Sequence, residues 1–186
     1  MKKVKIKRDY EAFLDGYKPA LIMAKCSKYL HLVEHYPSYC FDKDVIYFFQ
    51  TNEQREEFIE KVYKVGKYTY EECILTGLMM GYPKKSVEFF ARNDQVEKET
   101  GVLPNQDIAI GMVWAGFRFI TSLDILIEEA RWMWETYKHP KAIENPMYFW
   151  SDQDNTYLSV PYGDYDRLRE VREYIMKERG LIVTNK

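Results

Sequence analysis

"IAIGMVWAGFRFI", residues 108–120, decides the fold. The run is apolar enough for a buried helix, but it carries Gly111 and Gly116 and ends in an alternation of Phe117, Arg118 and Phe119. Glycine weakens helices, while aromatic and β-branched residues suit a pleated surface, so the run reads as strand. In a single strand Trp114, Gly116, Arg118 and Ile120 share one face. An arginine amid such rings is partly desolvated and needs an acid such as Glu88 or Glu128, a ring, or a bound anion.

Helical patterns flank this strand. Thr121 or Ser122 caps "LDILIEEARWMWETY" (123–137), which ends near His139-Pro140. Trp132 and Trp134 give that helix apolar surface on more than one side, which suits a central core position or a subunit seam. Upstream, Thr51 or Asn52 caps "EQREEFIEKVYKV" (53–65), and Gly66 ends it. "YEECILTGLMM" (70–80) stops at Gly81, and Pro83 starts "PKKSVEFFARN" (83–93). Asp164 caps a last amphipathic helix closed by Gly180. Further strands are expected at "KVKIK" (3–7), "VIYFFQ" (45–50) and "LIVT" (181–184). Pro19 opens a helix to about His35, "PSYCFD" is a turn, and residues 94–105 and 141–163 read as loop or irregular chain. The interspersed pattern implies α+β or α/β: one domain, residues 1–186, with about six helices around a small mixed sheet.

Composition narrows the function classes. A net charge of −2 over 186 residues excludes a general nucleic-acid coat. Aromatic residues make up 16%, with 16 Tyr, more ring surface than a core of this size hides. The surplus points to a ligand cleft or an oligomer interface. Cys26, Cys40 and Cys73 are odd in number and widely spaced, against a disulfide framework. No signal-peptide pattern or membrane-length apolar run occurs, so a cytoplasmic protein is expected.

Few motifs carry chemistry. "HLVEH" places His31 and His35 one helical turn apart with Glu34 between them, a zinc-hydrolase pattern that lacks its third ligand. Asp152 and Asp154 in "SDQDN" are spaced as in calcium loops without the rest of the loop, and Asx-turn chemistry explains them better. Arg167, Arg169 and Arg172 interleave with acids, as on a solvated helix face. There is no P-loop, no GxGxxG and no nucleophile elbow.

The corner "GLMMGYPKKSVEFF" (77–90) offers more. Gly81 suits a left-handed cap, and proline holds Tyr82 extended. With Pro83 in the first helical position, the amides of Lys84, Lys85 and Ser86 are free. The helix dipole disfavours two lysines there, and a bound anion reverses that effect. Free amides, a hydroxyl and two ammoniums make a phosphate or carboxylate seat. Solvated lysines are the plain alternative.

"MMGYPKKSVEFF" also resembles the Leu-Gly-Tyr-Pro-x-Cys-Cys-Val segment of an uncharacterised prokaryotic family, over Glu71 to Phe90, with a looser echo at "GFRF". Lys85 and Ser86 stand where that family has its paired cysteines. A metal or redox role implied by those cysteines does not transfer, and the resemblance implies no activity.

The expectation is therefore a non-enzymatic binding protein for a small anion, foremost a nucleotide or nucleotide-derived signal such as a cyclic nucleotide. Its candidate ligand-binding residues are Tyr82, Lys84, Lys85, Ser86, Trp114 and Arg118. No catalytic residue, metal or cofactor is assigned, and a homo-oligomer is expected. Lysine- and tyrosine-rich, alanine-poor usage suits an AT-rich bacterial or phage genome, and a viral protein that sequesters a host signal is one concrete version. Two alternatives stand beside it: a metal-dependent hydrolase using His31, Glu34 and His35, or a module whose aromatic surface docks another protein.

Overall fold

The computed structural model describes residues 6–151 and 156–182. The fold is α+β and single-domain. The expected mixed sheet is instead two antiparallel sheets, ordered β1-β3-β2 and β5-β4-β6-β7.

The first sheet contains β1 (Ala20–Ala24), β2 (Ser38–Cys40) and β3 (Val45–Phe49). The helix expected from Pro19 to His35 is thus a strand, paired Ala20↔Phe49 through Ala24↔Val45, followed by a 3-10 turn at Leu30–Leu32. The reason is burial on both faces. Leu21 and Met23 pack with Phe13 of α1 (Asp9–Leu14) and Val33, while Ala20 packs with Phe58, Val62 and Met80 on the other side. A strand covered on both sides shows a continuous apolar run, which mimics a short buried helix. "PSYCFD" contributes β2 rather than only a turn.

α2 (Asn52–Val65) and α3 (Tyr70–Met79) begin as their caps dictate. The Thr51 hydroxyl accepts from the Gln54 amide at 3.3 Å, and that of Thr69 accepts from the Glu72 amide at 3.1 Å. Gly66 closes α2, and Gly81 follows α3 with φ +78°. α4 (Lys84–Thr100) has Pro83 as its N-cap. It runs through half of the expected loop, because Asp94–Lys98 and Gln95–Glu99 pair one turn apart before Gly101 ends it.

The run 108–120 is a hairpin rather than one strand: β4 (Ala109–Trp114) and β5 (Phe117–Ser122). Ala115 (φ +47°) and Gly116 (φ +89°) form its two-residue turn, where paired positive φ values match the strand twist. Thr121 and Ser122 belong to β5 and do not cap the next helix, α5 (Leu126–Thr136), whose N-cap is Ile125. After α6 (Pro140–Ile143), the stretch expected to be irregular supplies β6 (Met147–Ser151) and β7 (Thr156–Val160). Its prolines bound those strands rather than interrupt them. α7 (Tyr165–Glu178) starts at Asp164, whose carboxylate accepts from the Arg167 amide at 2.9 Å.

One face of the second sheet is core. Met112, Trp114, Phe117 and Phe149 are fully buried there against Leu126, Met133 and Trp134 of α5 and Leu168 and Val171 of α7. Burying this cluster stabilises the fold by about 25 cal/mol per Å² of apolar surface removed from water. Trp132, on the same helix as Trp134, remains 39% exposed, so only one of the two tryptophans is core.

The expected N-terminal strand has residues 3–5 outside the described residues, and Ile6 and Lys7 are not in regular structure. The "LIVT" strand has residues 183 and 184 outside them, with Leu181 and Ile182 in a bend. Asp152 and Asp154 also lie outside. Among the described residues no helix is long and apolar enough to cross a membrane.

Candidate ligand-binding site

The α4 corner already contains an anion, and it is the protein's own. Ser86 is buried, and its amide and hydroxyl both donate to the Glu129 carboxylate, at 2.9 and 2.7 Å. The Ser86 and Thr121 hydroxyls are 2.8 Å apart. Glu129, 3% exposed, projects from α5 into the N-terminal end of α4, where free amides and the dipole favour negative charge. Lys85 pairs with Glu128 at 2.7 Å and Lys84 with Glu88 at 3.7 Å, both at the surface.

Trp114 and Arg118 do not share a face. The hairpin opposes Trp114 to Phe117 and Val113 to Arg118, which sends Trp114 into the core and Arg118 to the opposite side. The single-strand reading failed because the chain reverses at Ala115-Gly116. The Trp114 indole N–H donates to the Asn145 carbonyl at 2.9 Å. Arg118 meets a ring, its guanidinium lying 4.7 Å from the centre of Trp150. Of the six expected residues, Tyr82 and Arg118 come together on one cleft, and Ser86 joins them in the wall of an adjoining cavity. Lys84 lines a different hollow with Trp132 and Tyr137, where Tyr82 also contributes.

That cleft, about 900 Å³, lies between β1 with its N-terminal approach and the non-core face of the second sheet. Trp150 forms part of its wall and lies flat across Gly111, where any Cβ would sit 2.1 Å from the indole. Beside it Tyr148 and Tyr157 stack at 5.2 Å, and across the mouth Tyr10 and Tyr29 stack at 4.5 Å. Part of the aromatic surplus therefore lies on and around this cleft.

Four cations belong to its wall, of which Lys7 pairs with Asp15 at 2.5 Å. The other three lie against rings. Arg8 donates to the Tyr29 hydroxyl at 2.7 Å and sits over that ring. Arg118 covers Trp150. Lys18 is fully buried: its ammonium donates to the Gly116 carbonyl at 3.1 Å and lies 4.7 Å from the Phe117 ring centre and 5.2 Å from that of Tyr82. Among the described residues none of the three forms an ion pair with a carboxylate. The acid on the same wall, Asp9, accepts from the Tyr10 amide. Burial lowers the Lys18 amine to about 8, with Asp9 opposing the shift. The same burial pushes the Tyr82 phenol up. Buried charge is normally paired, so a lone ammonium in a ring-lined cleft is set up to meet an anion.

Comparison with protein-family models, with curated proteins and with solved structures gives no match for this chain.

The likeness to the Leu-Gly-Tyr-Pro-x-Cys-Cys-Val segment thus rests on its motif alone. Sequence reading missed Lys18 and Trp150. A lysine before a proline reads as an ordinary turn residue, and Trp150 lies in a stretch whose prolines and turn residues read as irregular. The zinc pattern loses its geometry: His31 lies in the 3-10 turn and His35 beyond it, both exposed, so the one-turn α-helical spacing is absent. Among the described residues no group of three or more His, Cys, Asp or Glu could hold a metal ion.

Proposed function

We propose that the protein binds a small anion carrying a ring system, foremost a nucleotide or nucleotide-derived signal, in the cleft between the two sheets. The observation that carries this reading is the set of Lys18, Arg8 and Arg118, cations set against ring faces and without carboxylate partners among the described residues. Lys61 and Lys64 are matched by Glu57 and Glu60, and Lys28 and Lys67 also lie over single rings, but among the described residues only in this cleft do three such cations converge. Ring faces with guanidinium groups suit a base, and the cations suit its phosphate. A protein that sequesters a signalling nucleotide, as a phage protein would, is one form of this function.

Thermal-shift screening against mono-, di- and cyclic nucleotides and inorganic phosphate tests it. A nucleotide should raise the midpoint, and Arg118→Ala should reduce that rise. No shift from any of them overturns the reading.

A further inference from the structure

A second cavity, about 670 Å³, continues from the first on the other side of Arg118 and Trp150. The two share Ile22, Tyr82, Arg118 and Trp150, so that group of side chains is the wall between them. The second space lies between the first sheet and helices α3 and α4, and its character is different. Phe41, Tyr47, Met80, Val87, Phe119 and Ile120 line most of it, and Phe90 at its edge is 46% exposed. Its acids are engaged locally: Glu72 accepts from the Thr76 hydroxyl at 2.6 Å, and Asp94 pairs with Lys98 at 2.7 Å. Burial pushes the Cys73 thiol in its wall up to about 11, so this cysteine is neutral and counts as apolar lining.

A polar, cation-bearing chamber thus opens beside an apolar one, with an exposed guanidinium at the junction. Both volumes fall within the range of small-molecule sites. We infer that the ligand is amphipathic, its anionic head held by Arg118, Lys18 and Arg8 and an alkyl or acyl chain passing Trp150 into the apolar chamber. This inference rests on the anion reading of the polar cleft and adds the chain. Arg118 has the reach for the head, and Trp150 and Ile22 present apolar surface on both sides of the junction.

Calorimetric titration with inorganic phosphate, AMP, and n-butyl, n-hexyl and n-octyl phosphate separates the two. Affinity should rise about threefold or more per added methylene as each leaves water. Cys73→Trp, which fills the apolar chamber, should flatten that dependence and leave inorganic phosphate binding unchanged. Phe90→Asp, at an exposed edge where folding is safe, should flatten it in part. A flat alkyl series with phosphate or AMP still binding overturns the chain and leaves the anion site. An undiminished series in both variants puts the chain elsewhere and also overturns it. No binding by phosphate, AMP or any alkyl phosphate overturns the anion reading itself.

Discussion

Glu129 closes the N-terminal end of α4 by accepting from both the amide and the hydroxyl of Ser86, at 2.9 and 2.7 Å. A carboxylate 43 residues downstream thereby supplies the anion that the lysine-rich corner calls for, and fixes α5 against α4. Ser86→Ala leaves Glu129 buried with fewer donors. It should destabilise the fold by about 1–3 kcal/mol, measured by urea unfolding. Lys84→Ala and Lys85→Ala remove exposed pairs and should leave the unfolding midpoint unchanged.

Lys18 makes stability depend on pH in an unusual direction. Its amine titrates at about 8 in the fold against an ordinary 10.5, so between these values the unfolded chain binds more protons. Stability contributed at this position therefore rises with pH through that window, by up to about 3 kcal/mol. Lys18→Met should stabilise the protein at pH 7, and its advantage over wild type should shrink at pH 10. The quantity to read is the difference between the two proteins' unfolding curves, because the raised Cys73 and tyrosine groups act alike in both. Anion binding, which favours the charged amine, should weaken in wild type as pH rises through about 8.

Trp114 and Arg118 should separate cleanly under mutation. Trp114 is fully buried and hydrogen-bonded, so Trp114→Ala should cost about 3–5 kcal/mol of stability. Arg118 is exposed on the opposite face, so Arg118→Ala should leave the unfolding midpoint near wild type and lower anion affinity.

Gly111→Ala tests the shelf. The added methyl would meet the Trp150 indole at 2.1 Å, so the ring must move off the sheet. The expected outcome is a loss of about 1–3 kcal/mol, a changed tryptophan fluorescence, and weaker anion binding.

Much of the fold was legible where local chemistry is decisive. Thr51, Thr69 and Asp164 cap their helices through side-chain oxygens, and Gly66 and Gly81 mark helix ends, because these signals act within one turn of chain. The errors lie where long-range pairing overrides local pattern. β1 reads locally as helix because both its faces are buried, and β6 and β7 read as irregular because their bounding prolines resemble loop signals. The site was legible only in part. Tyr82 and Arg118 were found from their local oddity, a ring before proline and an arginine among rings. Lys18 and Trp150 acquire their roles only when β1 and the second sheet face each other, which no local spacing encodes.

The most direct test of an anion site in the inter-sheet cleft is calorimetric titration of wild type, Lys18→Met and Arg118→Ala with a nucleotide panel at pH 7. The expected result is one-to-one binding of at least one nucleotide, weakened at least tenfold in each variant, as loss of a charged hydrogen bond of about 1.5–3 kcal/mol implies. Absence of binding to every nucleotide, or equal affinity in all three proteins, would contradict it.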